Sequence, residues 1–517
     1  MNLNEIYPTC RALLDSGEWR RASAALAKET GPEGVAGIPE LPEFLPDLAR
    51  LEWTMHRVAT EAAPFGEVVA LEANPTLEAL HLSWKLCATV ASRGKVPPER
   101  GEEWALVWRD PVTGETSLSA ATGDDLLAIK VVVEDIPYAQ AAVAGRIPTA
   151  AVDMAVRRAA ARGLLLAPPS RIRRDTALLP QGKRTPEEFV AARSFVLQWH
   201  ITHACDLHCR HCYDRSNRAA VTVEQARRVL DQLGDFCARR GVAGHVCLTG
   251  GNPLLHPGFL DIYRESAQRG FTLSILGNAA PRERVEPLCG ILRPDMYQVS
   301  LEGLREHNDH IRGAGYFDRV MLFLDVLREL GIPSAVMLTL TRDNLDQVLP
   351  LAELLRGKTD FFTYNRLSPV GEGAALQLPS REEYAGFVQQ YVEAAQKNPI
   401  MGYKDNLIGI ELRRRGLEPF GGCCGFGCGA GFNFLALLPD GEAHACRKFP
   451  SPIGNVLTQG IAAVYDGEEA ARYRAGAAAC AACDLRAVCG GCLAITRGHG
   501  LDPFRDRDPH CSLVGTA

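Results

Sequence analysis

The distribution of cysteines constrains this chain more than any other feature of its sequence. Of its 17 cysteines, three lie close together at Cys205, Cys209 and Cys212, and nine lie between residues 423 and 511. Disulfide frameworks occur mainly in small exported domains, whereas a chain of 517 residues can bury a full hydrophobic core without them. Clustered thiols in such a chain indicate metal or iron–sulfur ligation.

The composition narrows the function classes. Hydrophobic residues make up 46% and charged residues 23%, which are ordinary values for a globular protein. The formal net charge of −6 argues against a nucleic-acid partner bound mainly through phosphate contacts. The sequence has no apolar run long enough for a membrane span and no secretory signal at its start, so we expect a cytoplasmic protein with no membrane partner.

A change of hydrophobic pattern near residue 194 predicts an α/β fold. Six strand-like segments alternate with helical stretches between about 194 and 370, and repeated βα units imply a parallel sheet with right-handed crossovers. This pattern fits a doubly wound sheet or a partial (βα)6 barrel, and in both the chemistry belongs at the carboxyl ends of the strands. The segments are SFVLQWHI, HVCLTG, TLSILGN, MYQVSLEG, PSAVMLTL and DFFTYN.

Other regions flank this core. Periodic apolar residues predict a helix around Leu48, Leu51, Met55 and Val58. Two strand signals around a PVTG turn, followed by two helical segments, are compatible with a small winged-helix module or with another α+β domain. The predicted regions are a helical region 1–100, a winged-helix-like module 101–172, a barrel 190–395 and a cysteine-rich domain 420–517 that depends on bound metal.

The first cysteine group directly follows the first barrel strand. Three thiolates spaced x3 and x2 can hold a four-iron cluster in which one iron has no protein ligand and is open to a substrate. The alternative is a zinc site with a remote fourth ligand, although zinc sites more often show paired CxxC motifs or nearby histidines.

This CxxxCxxC motif, placed at the end of the first strand, resembles that of the radical S-adenosylmethionine (SAM) enzymes. TGGNP at 249–253 stands where the family has Gly-Gly-Glu-Pro, with an asparagine in place of the usual glutamate, and QVSLEG at 298–303 resembles the family's Ser-Leu-Asp-Gly. The resemblance implies a partial TIM-like barrel. It also implies candidate SAM-binding residues, namely His211, Gly250, Gly251, Asn252, Pro253, Ser300, Glu302 and Arg312.

The resemblance also assigns roles and a reaction. His211 is expected to contact adenine, Ser300 the ribose and Arg312 the carboxylate of SAM, because arginine can hold a carboxylate through two hydrogen bonds. Glycines at 250 and 251 are expected to let the backbone approach the amino group of SAM. The implied chemistry is reductive cleavage of SAM to methionine and a 5′-deoxyadenosyl radical, which abstracts hydrogen from a substrate.

The C-terminal cysteines resemble a SPASM domain, an extension found in many peptide-modifying radical SAM enzymes. The resemblance implies two auxiliary 4Fe-4S clusters. The spacing before Cys492 is two residues where the family usually has three, and a zinc ribbon built on the two CxxC pairs is the alternative. The implied ligands are Cys428, Cys446, Cys492 and either Cys423 or Cys424 for one cluster, and Cys480, Cys483, Cys489 and Cys511 for the other.

Only one of the adjacent cysteines Cys423 and Cys424 is needed as a ligand. The other thiol either has no role or is a functional group. Cys423 and Cys424 are therefore the only candidates for a catalytic side chain, and the sequence assigns none beyond them.

Three functions are compatible with these features. The first is maturation of a ribosomally made precursor peptide, with the winged-helix-like region binding the leader and a flavodoxin- or ferredoxin-type donor supplying low-potential electrons; the arrangement looks most like the thio(seleno)oxazole-modification, or selenobiotic, maturases. The second is formylglycine formation as in anaerobic sulfatase-maturing enzymes, which carry an aspartate base where this chain has Arg447. The third is a regulator that senses redox state through iron–sulfur clusters.

Overall fold

The computed structural model describes residues 2–28, 32–61, 65–66, 68–145, 149–180 and 189–513. The chain divides into two compact units, Met1–Pro169 and Ser170–Ala517. The described residues of the first unit pack around two hydrophobic cores. The second unit packs around another and holds the predicted barrel together with the cysteine-rich region.

The first unit is built on a three-stranded antiparallel sheet. The sheet has the order β2-β3-β4, and a separate two-stranded ladder joins β1 to β5. The helices are α1 (Leu3–Ile6), α2 (Pro8–Leu13), α3 (Ser16–Lys28), α4 (Leu45–Glu61), α5 (Cys87–Ala91), α6 (Gly123–Val133), α7 (Tyr138–Gly145) and α8 (Thr149–Ala161). The strands are β1 (Glu72–Ala73), β2 (Glu78–Lys85), β3 (Glu99–Arg109), β4 (Thr116–Ala120) and β5 (Leu165–Leu166).

The two faces of this sheet pack against different helices. Ala105 and Val107 of β3 belong to a core shared with α1–α4, whereas Leu106 and Trp108 belong to a core shared with α6–α8. Alternation along a strand sends successive side chains to opposite faces, so the N-terminal helices cover one face of the sheet and the later helices cover the other.

The first-unit predictions are correct for several elements and wrong at one boundary. The predicted hairpin corresponds to β3 and β4, and the helix predicted around Leu48 corresponds to α4. The break predicted between residues 100 and 101 falls inside β3, because the prolines at 97 and 98 end the turn that precedes the strand. The two helical segments predicted after the hairpin correspond to α6 and α8.

The second unit contains a nine-stranded mixed sheet with the order β11-β10-β9-β8-β7-β6-β12-β13-β14. Its strands are β6 (Ser194–Thr202), β7 (Ala243–Gly250), β8 (Thr272–Leu276), β9 (Met296–Ser300), β10 (Ser334–Leu340), β11 (Phe361–Arg366), β12 (Phe434–Leu437), β13 (Glu442–His444) and β14 (Pro452–Asn455). Its helices are α9 (Val223–Arg240), α10 (Phe259–Gln268), α11 (Arg282–Ile291), α12 (Arg305–Arg312), α13 (Tyr316–Glu329), α14 (Val348–Leu355), α15 (Arg381–Ala395), α16 (Ile408–Arg414), α17 (Val456–Gln459), α18 (Ile461–Asp466), α19 (Glu468–Ala475) and α20 (Leu493–Gly498).

The six predicted barrel strands are confirmed as β6 to β11, which pair in parallel. The helices between them follow from local sequence. In α9, for example, Thr222 and Gln225 form a capping box and Gly241 ends the helix in the left-handed conformation. Beyond the prediction, β12 from the cysteine-rich region pairs in parallel with β6 and extends the sheet.

Alternation along the barrel strands separates the core from the site. On β6, Phe195, Leu197, Trp199 and Ile201 are buried in the main core. The intervening residues, of which His200 is an example, face the other side of the sheet. Burying a large aliphatic side chain contributes roughly 1.5–3 kcal/mol, so this row fixes the register of β6 and thereby the start of the cysteine loop that follows it.

Candidate active site and cluster ligands

The first cysteine group lies in the loop that follows β6. Cys205 is exposed, while Cys209 and Cys212 are half-buried. The Asn278 amide nitrogen lies 3.5 Å from Cys205 Sγ, and Arg312 Nη1 lies 3.8 Å from Cys209 Sγ. Burial raises the pKa of the Cys209 thiol and the Arg312 guanidinium opposes this effect. The three thiols therefore share one loop whose neighbours can donate hydrogen bonds to thiolates.

The two glycines at the end of β7 permit a close approach between backbone segments. A Cβ at Gly250 would lie 2.1 Å from the carbonyl oxygen of Thr202, and a Cβ at Gly251 would lie 2.4 Å from that of Ala204. The amide of Gly251 donates to the Thr202 carbonyl at 3.0 Å. These glycines hold the TGGNP loop against the start of the cysteine loop, a structural requirement additional to the SAM contact that the motif implies.

Asn252 is tied into the cysteine loop through Asp206. Its amide nitrogen donates to Asp206 Oδ1 at 2.9 Å, and its amide oxygen accepts from the Leu254 backbone at 3.3 Å. Asn278 donates to the same Asp206 oxygen at 2.7 Å, and Arg319 donates to Oδ2 at 3.1 Å. Burial opposes ionisation, but these hydrogen bonds prevail and lower the pKa of Asp206. A carboxylate is thus present at this junction although the usual glutamate is not.

Glu302, Arg312 and His211 form a buried polar group beside Cys209. Glu302 Oε1 accepts from Arg312 Nε at 2.8 Å and lies 3.3 Å from His211 Nε2, while Oε2 accepts from the Thr339 backbone at 2.7 Å. Burial alone would raise the pKa of Glu302, but Arg312 and His211 lower it to about 2. The carboxylate therefore holds Arg312 in place with its Nη1 directed at the cysteine.

The remaining predicted SAM contacts lie at the same strand ends. Ser300 is the last residue of β9, and its neighbours Val299 and Leu301 are buried in the core, so Ser300 faces the opposite side of the sheet. Pro253 is buried at the start of a short 3-10 helix, Pro253–Leu255. The roles of these residues toward adenine, ribose and carboxylate stay predictions.

One set of C-terminal cysteines clusters around Cys428. Burial raises the pKa of the Cys428 thiol, and the neighbouring thiolates of Cys423, Cys492 and Cys446 raise it further. Burial likewise raises the pKa of Cys446 to about 12, with Cys492 and Cys423 contributing and Lys448 opposing. Mutual electrostatic contact of this kind requires the four sulfurs to lie near one another.

Cys424 occupies a different environment from its neighbour Cys423. Its sulfur packs on Gly429, where an added Cβ would lie 2.2 Å away, and it interacts electrostatically with Arg174. The hydrogen bond between the two thiols lowers the pKa of Cys423 and raises that of Cys424. Cys423 interacts electrostatically with both Cys428 and Cys446.

The second set of C-terminal cysteines encloses a small cavity. Cys480, Cys483, Cys489 and Cys511 all line it, together with Leu485 and other apolar side chains. Cys489 is buried, and burial raises the pKa of its thiol. The structure thus brings together the four cysteines that the SPASM resemblance groups into one cluster.

Two kinds of metal site are open to these thiols. Tetrahedral zinc would hold thiolates about 3.8 Å from one another, because its bonds to sulfur are about 2.3 Å long. A four-iron cluster would give each thiolate its own iron. Among the described residues, no group of three or more His, Cys, Asp or Glu side chains is arranged to hold a single metal ion.

Family models match both parts of the second unit. The Radical SAM superfamily model matches residues 199–355, and the SPASM model, an iron–sulfur cluster-binding domain, matches residues 428–492. The chain contains a radical SAM domain and a SPASM domain. Its cofactors are therefore SAM, the 4Fe-4S cluster of the radical SAM domain and the auxiliary iron–sulfur clusters of the SPASM domain.

Individual relatives agree with this assignment. The mycofactocin maturase MftC of Mycolicibacterium smegmatis is 29% identical over 335 residues, which cover 61% of this chain and 82% of the relative. An AdoMet-dependent heme synthase of Methanosarcina barkeri is 25% identical over 348 residues, covering 61% of this chain and 95% of the relative. The crystal structure of Streptococcus suis SuiB bound to precursor peptide SuiA superposes with a TM-score of 0.52 at 16% identity, covering 79% of this chain and 96% of SuiB.

Sequence reasoning missed a contact that joins the radical SAM domain to the SPASM domain. Arg447, which follows Cys446, donates to the carboxylate of Asp214 and lies over the ring of Tyr213 at 4.6 Å. Tyr213 and Asp214 directly follow Cys212. Ser216 and Arg447 overcome the effect of burial and lower the pKa of Asp214 to about 2. The buried guanidinium of Arg447 therefore joins the loop of Cys212 to the segment of Cys446.

Asp206 and Asn278 were also not predicted as site residues. Their positions carried a usable signal, since Asp206 lies inside the CxxxCxxC motif and Asn278 lies just after the end of β8, where the chemistry was expected.

Within the described ranges, the helices are too short or too polar to cross a bilayer.

Proposed function

We propose that this radical SAM/SPASM enzyme modifies a ribosomally made precursor peptide. The observation that carries the proposal is the first unit, whose three-stranded sheet is followed by three helices and precedes the radical SAM domain. The structural similarity to SuiB covers 79% of this chain, which is more than the second unit alone contains. The SuiB structure was solved with precursor peptide SuiA bound. MftC is likewise named a maturase.

The site residues have separable tasks in this proposal. The bound cluster and SAM supply reductive cleavage to a 5′-deoxyadenosyl radical and methionine. Cys205, Cys209 and Cys212 would hold the iron. Glu302 holds Arg312 beside Cys209, and this guanidinium would bind the carboxylate of SAM.

The auxiliary ligands follow from the two cysteine groups of the SPASM domain. We assign one four-iron cluster to Cys423, Cys428, Cys446 and Cys492, and a second to Cys480, Cys483, Cys489 and Cys511. Cys424 is left as a thiol packed on Gly429 rather than a ligand. A low-potential carrier protein completes the system as electron donor.

The leader peptide is expected to add a strand to the edge of β4. Among the described residues, β4 pairs with β3 alone. The Ala121 amide donates to the Trp104 carbonyl, so the amides at alternate positions point inward and that of Ala120 points outward, toward the open edge. An added strand would use this outward amide as a donor.

Two substitutions at one position test this docking. Ala120→Pro removes the outward amide without removing a ladder hydrogen bond, whereas Ala120→Val keeps it. We expect the proline variant to lose most of its affinity for the precursor peptide in a titration of anaerobically reconstituted protein, and the valine variant to retain it. Equal affinity in both variants would exclude strand addition at β4.

Formylglycine formation is less well supported. The position of the aspartate base in sulfatase-maturing enzymes is occupied by Arg447, which stays cationic and is already bonded to Asp214. A cation held in this way cannot accept a proton. The redox-sensing regulator is also less well supported, because the relatives with matching domains carry enzyme names.

A further inference from the structure

A cavity of about 220 Å³ opens beside Cys428 in the second unit. Among the described residues, four arginines line it, namely Arg173, Arg174, Arg474 and Arg486, together with one carboxylate, Asp175. The formal charge of these described lining residues is +3, whereas that of the whole chain is −6. The positive charge at this place is a local feature and not a consequence of composition.

The inner arginines are held by backbone carbonyls and not by acids. Arg174 donates to the carbonyls of Phe426 and Cys428, and Arg474 donates to the carbonyls of Gly431 and Tyr465. Among the described residues, no carboxylate lies within ion-pair distance of Arg174, Arg474 or Arg486. Carbonyl contacts fix the position of a guanidinium but leave its charge unneutralised.

Apolar side chains form the rest of the wall. Arg174 lies over the ring of Phe432 at 4.0 Å, and Phe426 and Tyr473 also line the cavity. The outer rim carries the exposed side chain of Arg173 and that of Leu178, which is 43% exposed. A rim that is both cationic and apolar suits a protein surface better than a free inorganic anion.

The cavity also leads to the auxiliary cysteines. Cys428 and Gly490 are part of its wall, and Arg486 and Gly490 line the small cavity of the second cysteine group as well. A group bound in this cavity would lie next to a ligand of one proposed auxiliary cluster, with only the cavity wall between them.

We propose that this arginine cavity is the docking site for a small acidic electron-carrier protein, which exchanges single electrons with the auxiliary cluster at Cys428. The proposal rests on the assignment of Cys428 as a cluster ligand. The transfer moves one electron from the reduced carrier to the oxidised cluster, so the carrier is oxidised by one electron and no proton or bond is exchanged. Weak redox encounters of this kind use small interfaces and electrostatic steering.

The test uses a full-length background in which only the auxiliary clusters form, with Cys205, Cys209 and Cys212 replaced by alanine. Arg173→Glu reverses one rim charge, and Arg173→Lys keeps it. Arg284→Glu is the matched control, because Arg284 is also exposed but lies on α11 and does not line the cavity. Stopped-flow absorbance follows cluster bleaching by reduced flavodoxin, with reduced methyl viologen, a small cation, as the reference reductant.

We expect Arg173→Glu to slow the flavodoxin reaction about fivefold or more at low salt, with the difference disappearing at high salt. Arg173→Lys and Arg284→Glu should react within about twofold of the background protein, and methyl viologen should bleach all variants equally. Equal slowing by Arg173→Glu and Arg284→Glu would overturn the proposal. So would an unchanged flavodoxin rate combined with weaker precursor-peptide binding, which would assign the cavity to the peptide.

The reference reductant separates this proposal from the assignment beneath it. If methyl viologen produces no bleaching in the background protein, the auxiliary ligands are wrong and the proposed function loses its cluster assignment. If methyl viologen bleaches the clusters normally and flavodoxin reduces Arg173→Glu as fast as the background protein, only the docking site is wrong.

Discussion

Replacing Glu302 with glutamine tests the buried ion pair beside the SAM cluster loop. The exposed fractions of the Glu302 and Arg312 side chains are only 2% and 9%, so solvent screens their attraction poorly. The pKa of Glu302 falls from 4.5 to about 2, against the opposing effect of burial. Since a tenfold change in an acid constant equals about 1.4 kcal/mol, the folded state gains about 3 kcal/mol from this group at neutral pH.

Glu302→Gln keeps the side-chain oxygen that accepts from the Thr339 backbone but leaves the charge of Arg312 buried and unpaired. We expect a loss of about 3 kcal/mol in the free energy of opening, measured by hydrogen exchange and mass spectrometry on peptides covering β9 and α12. The matched control is Glu329→Gln, which breaks the exposed pair with Arg282 and should cost less than about 0.5 kcal/mol.

The pH dependence has a definite sign. Because the folded-state pKa of Glu302 is depressed, its contribution is fully present above the unfolded pKa near 4.5 and is lost as the pH falls toward 2. The difference between wild type and Glu302→Gln should therefore stay constant from pH 8 to about pH 5. A difference that shrinks within that range, or a loss below about 0.5 kcal/mol at pH 7, would refute the assigned pairing.

Two further substitutions probe other contacts of the site. Arg447→Met should lower the free energy of unfolding by about 1–3 kcal/mol, because it leaves Asp214 unpaired, and adding Asp214→Asn should recover part of this loss in a double-mutant cycle. The pH profile of peptide modification should not change. If the activity at high pH lost its pH dependence in Arg447→Met, Arg447 would instead have a role in proton transfer. Gly251→Ala places a Cβ 2.4 Å from the Ala204 carbonyl oxygen and should displace the cysteine loop, which lowers the iron content by about four per chain. Gly290→Ala is the control, because its Cβ meets no atom within 4 Å, and it should leave the iron content unchanged.

Local patterns predicted the barrel well because its strands are continuous apolar runs bounded by clear turns. The same reasoning missed β12, which is four residues long in a region rich in glycine and cysteine. Its pairing with β6 joins residues more than 230 positions apart. Nothing in the local sequence specifies such a partner, so only the tertiary structure reveals that the SPASM region extends the barrel sheet.

The candidate site could also be predicted only in part from the sequence. Spacing alone placed Cys205, Cys209 and Cys212 in one loop, since they are close along the chain. Spacing could not separate Cys423 from Cys424, because adjacent residues fit the motif equally well and their environments depend on backbone packing at Gly429. The contact between Arg447 and Asp214 also joins distant segments, and residue types alone do not predict it.

The iron content of matched variants tests the central assignment most directly. Anaerobically reconstituted wild-type protein should contain about twelve irons per chain, as should Cys424→Ser, because Cys424 is not a ligand in this assignment. Replacing Cys205, Cys209 and Cys212 together, or Cys480, Cys483, Cys489 and Cys511 together, should leave about eight. Cys423→Ser should lower the content or destabilise one cluster. A wild-type value near four, or a loss of iron in Cys424→Ser but not in Cys423→Ser, would contradict the account.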